Sequence, residues 1–381
     1  MEKALKLLND LLSIPSVNGR DDEGAVAEYL YRYFNEAGIP ARLDRIDDRH
    51  ANVMAVLRGD DTKPPMIWNG HLDTVPYGKI EEWSTDPACP VQKDGFICAR
   101  GASDMKSGLA AMVYALCSFF HSGREASRTI YFIGTCDEEK NGLGAEHALL
   151  NVMPETACEL LVGEPTGCRM GVAQKGCLWL EMHVMGRTSH GAYPQEGCNA
   201  VEEAVSLADG LRKYAESFSH PVLGKSTAQI TQITGGVAPN MTPDECVLLM
   251  DMRLTPGLTS QMILEKAKEM ANERQAGTKG VLRAEFSVRN DRRAIELDPA
   301  HPFAGRLKRC IEAQGLEPGL TGINYFTDAS ILTRGREDMA VLLFGPGEAD
   351  MAHKPNERVE LKKYQKAIDI LTDLIAAEVA D

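Results

Sequence analysis

TIYFIGTCDEEKNGLGAEH, residues 129–147, reads as a buried strand that opens into a loop and then a helix. A glycine-bearing turn between strand and helix invites a phosphate cradle, but the dinucleotide fingerprint fails. Gly142 and Gly144 are present, and His147 stands where the third glycine belongs. Three acids, Asp137, Glu138 and Glu139, would also repel a phosphate. Carboxylates crowded at a strand end raise one another's proton affinity unless the loop is solvated or a cation neutralises them. The stretch therefore predicts an α/β unit and directs attention to what lies at the ends of the other strands.

Working outward, short apolar runs at 51–57, 66–68, 129–134 and 160–163 read as strands, and helical periodicity marks 22–37 and 105–120. This alternation is the pattern of a mostly parallel sheet covered by helices. It changes near Lys175. In LWLEMHVMG, Leu178, Leu180, Met182 and Val184 share one face. A helix at 199–218, strands at 227–235 and 245–255, a helix at 260–274 and a strand at 281–288 follow. The order β-α-β-β-α-β is the ferredoxin-like α+β arrangement. After residues 298–302 the α/β character returns with a helix at 303–314, the strand AVLLF and a C-terminal helix from Leu361. The expected organisation is a large domain in two parts, 1–174 and 290–381, with a ferredoxin-like domain, 175–289, inserted between them.

A chain of 381 residues exceeds the usual limit for one hydrophobic core, in keeping with two domains. Its net charge of −14, without a run of five or six like charges, argues against a nucleic-acid partner. MEKALKLLNDLLSIPSV interleaves charges with apolar residues, and no later stretch approaches a membrane span. The expectation is an amphipathic first helix, no membrane partner and a cytoplasmic location. Ten cysteines are scattered and never form C-x-x-C, which fits reduced, mostly buried thiols, and none sits in a recognised nucleophile motif.

The apolar strands of the large domain each deliver a ligand-type side chain. MIWNGHLDT delivers His71 and Asp73, RGASDMKSG delivers Asp104 before a helix, and TCDEE delivers Glu138 and Glu139. LLVGEPTG delivers Glu164 and VLLFGPGEADMAHKP delivers His353. Ligands of parallel sheets gather outside the carboxyl ends of the strands. Taken singly, each residue has a plain structural reading: Asp104 a helix cap, Glu138 and Glu139 a solvated loop, Glu164 a turn before Pro165, and the histidines solvated side chains. Together, two histidines with three or more carboxylates suit zinc, or cobalt or manganese in its place.

With these residues in view, the chain resembles the co-catalytic zinc metallopeptidases that include acetylornithine deacetylase, succinyl-diaminopimelate desuccinylase, aminoacylase and bacterial glutamate carboxypeptidase. The matching segments are GHLDTVP, RGASDMKSG, DEEKNGLGAEH, GEPTG, GRTSHGAYP, GGVAPNMTP and DMRLTPG, spanning residues 70–257, with His353 beyond. The resemblance implies a two-metal site bridged by Asp104, with His71 and Glu164 on one ion and Glu139 and His353 on the other. It implies that Asp73 accepts a hydrogen bond from His71, that Glu138 is the general base, and that Asp137 is a bystander or supporting group. It further implies a cis peptide between Asp104 and Met105, and that the inserted domain acts as lid and homodimerisation domain. His190 in SHGAYP would then donate to the oxyanion, and Asn240 and Arg253 would hold a substrate carboxylate. Thr327 and Asp328 are further substrate-binding candidates, although GINYFTDAS departs from the glycine-rich version of the desuccinylases.

The expected activity is metal-dependent hydrolysis of an amide, removing an acyl group from an N-acyl amino acid. A dipeptidase or carboxypeptidase on the same scaffold is the alternative, since both cleave an amide beside a carboxylate. A catalytically dead metal-binding protein is the remote third reading, opposed by the intact Glu138 and five ligands.

Overall fold

The computed structural model describes residues 1–278 and 280–377. They fall into two compact units, one built from Met1–Val172, Glu296–Gly322 and the chain from Thr327 onward, the other from Ala173–Ile295 with Ile323–Phe326. The expected boundaries of 175 and 289 thus sit inside slightly wider observed ones, and a short stretch of GINYFTDAS belongs to the second unit. None of the described helices is long and apolar enough to cross a membrane.

In the first unit, four parallel strands lie in the order Ile130–Thr135, Met66–His71, Glu159–Val162, Ala340–Leu343. Met66–His71, Glu159–Val162 and Ala340–Leu343 are buried at every residue, as strands covered on both faces must be. Antiparallel strands extend the sheet beyond Ile130–Thr135, through Ala51–Leu57 to Ala41–Arg45. That outer strand has no buried residue, so ARLDR carries no apolar signature by which a strand could be predicted. The helices Gly24–Glu36, Lys106–His121, Pro302–Ala313 and Leu361–Ala376 match the predicted ones within a residue or two.

The helix Lys106–His121 buries most of its length, which its small residues permit. At Gly108 a Cβ would lie 1.9 Å from the carbonyl oxygen of Gly163, the residue before Glu164. No side-chain rotation relieves a clash with backbone. Gly108→Ala should therefore push helix and strand apart and cost about 3 kcal/mol of stability. Urea denaturation measures it, and an unchanged midpoint would contradict this packing.

The second unit is an antiparallel sheet in the order Thr227–Gly235, Glu245–Leu254, Gly176–Met185, Arg283–Arg292. Leu178, Leu180, Met182 and Val184 alternate onto one buried face, as their spacing predicts, joined there by Cys246, Leu248, Met250 and Met252. The helices Ala200–Glu216 and Ser260–Gly277 close that face with Leu207, Leu211, Ile263 and Ala267. This is the ferredoxin-like β-α-β-β-α-β topology.

Candidate metal centre

Strand register brings the ligand-type residues to one level. His71 pairs with Thr135 and Asn69 with Val162, so the loops that follow these strands leave the sheet side by side. Glu164 lies two residues beyond Val162, as His71 lies two beyond Asn69. Leu343 is in register with Val162, and the chain beyond it returns to the same rim carrying His353. Asp104 precedes the helix Lys106–His121, and the Asp104–Met105 peptide is cis, as the resemblance implies.

Among the described residues, two overlapping triads share Asp104: His71, Asp104 and Glu164, and Asp104, Glu139 and His353, each with one ligand atom per residue within 4.8 Å of the others. His71 Nε2 lies 3.1 Å from Asp104 Oδ1. His353 Nε2 lies 3.0 Å from Glu139 Oε2 and 3.5 Å from Asp104 Oδ2. Glu138 is adjacent, grouped with His71 and Glu139 at the same spacing. All of these are buried or nearly so except His353, whose side chain is half exposed. The expected five ligands and the expected base therefore stand together.

Asp73 is arranged differently from expectation. His71 Nδ1 lies 3.0 Å from the Asp73 backbone carbonyl and 3.7 Å from its carboxylate, so the carbonyl is the acceptor that fixes the ring. The Asp73 carboxylate instead accepts the backbone amides of Glu138 and Glu139, both at 3.1 Å, and the Asn18 side-chain amide at 3.0 Å. One carboxylate thus orients both glutamates. Asp137 builds the turn, accepting the Asn18 amide at 3.0 Å and the Leu143 amide at 3.2 Å while its backbone holds φ 61°.

Two supporting residues escaped sequence reading. Glu357 is fully buried and accepts the amides of Ser103 at 2.8 Å and Asp104 at 2.9 Å, with Arg100 at 2.6 Å on its other oxygen. Its nearness to His353 in KPNERVE was the one available signal. Asn18 carried none.

The electrostatics are those of an acidic pocket. Burial, with Asp328, Glu139 and Glu164 close by, raises Glu138 well above the usual carboxylate range, although His71 opposes it. Burial and Asp104 do the same to Glu164, whose Oε2 is buried without a hydrogen-bond partner. Burial also raises Glu139, against the hydrogen bond from His353. On His71 burial works against charge, but Asp104, Glu138 and Asp73 outweigh it and raise its pKa well above that of free imidazole. Burial and mutual repulsion of the acids thus act together on the glutamates, and the acids alone raise His71 against burial, so a cation would relieve both. The residues present fit divalent cations.

The remaining candidates divide. In the second unit, His190 and Asn240 lie on exposed loops held together by the bridge of His190 with Met241 and by the Gly191 amide donating to the Asn240 carbonyl at 2.8 Å. Arg253 makes a two-pronged ion pair with Asp251, at 2.9 and 3.0 Å, beside the Phe326 ring. In the first unit Thr327 is wholly buried and its hydroxyl accepts the Ala329 amide. Asp328 is also buried, accepting the Thr135 hydroxyl at 2.6 Å.

Residues 67–377 match the model of peptidase family M20/M25/M40. An acetylornithine deacetylase from Vibrio campbellii is 27% identical over 379 residues, covering 97% of this chain and 96% of its own. A probable succinyl-diaminopimelate desuccinylase from Staphylococcus aureus is 24% identical over 401 residues, covering 98% of this chain and 96% of its own. A tripeptidase from Staphylococcus aureus superposes with a TM-score of 0.79 at 21% identity, over 98% of this chain and 97% of that one, a likeness of fold. The motif set, the parallel sheet that carries it and a family match over most of the length agree, and the chain belongs to peptidase family M20/M25/M40.

Proposed function

We propose that the protein is a two-metal amide hydrolase that removes an acyl group from an N-acyl amino acid. The observation that carries this reading is Asp104 shared between two donor triads, with the buried carboxylate of Glu138 grouped with His71 of one and Glu139 of the other. The names of the two sequence relatives, a deacetylase and a probable desuccinylase, support the acyl-transfer direction over peptide cleavage. His71 and Glu164 would hold one ion, Glu139 and His353 the other, with Asp104 between. The donor set favours zinc, with cobalt or manganese able to replace it. Bound there, two such ions supply Lewis acidity that polarises the scissile carbonyl and makes water acidic enough to attack near neutral pH.

The chain's own groups do the proton work. Glu138 takes the proton of the attacking water and passes it to the departing amine nitrogen. Asp73 holds the backbone that aims Glu138 and Glu139. Asp328, which accepts the Thr135 hydroxyl, adds to the proton affinity of Glu138. In the second unit, His190 would donate to the oxyanion, while Asn240 and Arg253 would hold the substrate carboxylate, for which an arginine fork is suited. Release of Arg253 from Asp251 is the condition for that role. The same reading makes the protein a homodimer through the second unit, which exposes Ile230, Ile233, Val247 and Val288. Ten free cysteines support a reducing, cytoplasmic setting.

The test is a substrate panel on metal-stripped protein resupplied with zinc or cobalt. Free amine should appear from N-acetyl or N-succinyl amino acids only after metal is restored. Cleavage confined to dipeptides would replace this reading with the exopeptidase one, and no hydrolysis of either class would end both.

A further inference from the structure

We propose that Glu23, His50 and Asp137 form a third divalent-cation site, of the zinc class, apart from the Asp104 centre. Their ligand atoms lie within 4.8 Å of one another. Glu23 is fully buried, and its Oε1 has no hydrogen-bond partner. Its other oxygen accepts the Asp137 amide at 2.7 Å, which turns Oε1 towards the His50 ring. His50 Nδ1 lies 2.8 and 2.9 Å from the two oxygens of Asp47, an acceptor that holds the ring proton on Nδ1. Nε2 is then left with a lone pair, and it faces Glu23 Oε1 at 3.7 Å. Two lone pairs facing at that distance make no hydrogen bond, but they suit two ligands of one ion. Zinc bonds of about 2.0–2.2 Å at tetrahedral angles set ligand atoms roughly 3.3–3.6 Å apart.

The surroundings agree. A carboxylate on the far nitrogen of a histidine is the usual support of a metal-binding imidazole. Asp137 Oδ2, which accepts the Leu143 amide at 3.2 Å, has a second lone pair to give. Burial, with Asp73 and Asp137 nearby, pushes Glu23 up to about 8, so its anion lacks compensation from the protein alone. Arg49 opposes this shift, but its guanidinium is engaged by the Asp21 carbonyl, to which it donates at 3.0 and 3.3 Å. The His50 side chain is 20% exposed, which leaves a path for an ion to enter. An ion here would tie the loop before the helix Gly24–Glu36 to the first residue of the Asp137–Glu139 turn, and so stiffen the backbone that carries Glu138 and Glu139.

Zinc titration of the metal-stripped full chain against a chelating indicator counts the sites independently of any activity. The wild type should take three equivalents and His50→Gln two. Asp104→Asn should retain one, and the double variant none. Glu23→Gln, which keeps the buried shape, should repeat the His50→Gln count. The third equivalent should also raise the melting temperature of Asp104→Asn and leave that of the double variant unmoved. An Asp104→Asn protein that binds none, or a His50→Gln protein that binds as many ions as the wild type, overturns the proposal. Because the Asp104→Asn arm lacks the shared ligand of the other two ions, failure of the third site is separable from failure of the hydrolase reading.

Discussion

Glu138→Gln should leave metal content intact and lower kcat by roughly two to four orders of magnitude, the usual worth of a positioned general base. The amide keeps the shape of the side chain but cannot take a proton from water. Burial and the acids around Glu138 raise its proton affinity, so nearby positive charge is needed to keep it ionised and able to take a proton. Glu139→Gln must fail differently. Its carboxylate lies against His353 and next to Asp104, and a neutral amide oxygen is a poorer donor to a dication. Activity of that variant should partly return with excess zinc or cobalt, because the loss is one of affinity. Bound metal and kcat measured side by side decide between the roles. Loss of metal in Glu138→Gln, or near-full activity in it, would remove the base assignment.

Asp104→Asn should be the more severe change at the metal centre, because Asp104 alone belongs to both triads. Substituting a supporting residue already costs about 10–100-fold in metal affinity. Removing the charge of a shared ligand should cost at least about 1,000-fold for the pair and cut activity correspondingly, with little rescue by added metal. Glu164→Gln and Glu139→Gln, each touching one triad, should retain more. Equilibrium dialysis at several metal concentrations gives the ordering, and an Asp104→Asn protein that binds the pair as tightly as Glu164→Gln would show that Asp104 does not bridge.

Much of this site was legible in the chain because metal chemistry admits few residue types. His71, Asp104, Glu139, Glu164 and His353 could be picked out as ligand-type side chains following apolar strands or before a helix, and strand register levels the loops that carry His71, Glu139 and Glu164. The inserted unit was equally legible, since Leu178, Leu180, Met182 and Val184 alternate against a helix-covered core. What could not be read were the contacts made by residues whose type is common and whose partners are far along the chain. Asp73 was placed on the correct histidine but through the wrong atom. The burial of Thr327 and the hydrogen bond of Asp328 with Thr135 are likewise set by segments far apart in the chain.

By itself the sequence determined the class of fold, the inserted ferredoxin-like unit and the identity of the ligand-type residues, because periodicity and donor chemistry are local properties of a chain. Only the tertiary structure decided that Asp73 holds the backbone of two glutamates and that Glu357 anchors the amides of Ser103 and Asp104. It also decided that Glu23 and His50 meet beside Asp137. The physical reason is directional: hydrogen bonds and coordination depend on angles and on distances of about 3 Å, and these are set by register and packing between segments that no pattern along the chain connects.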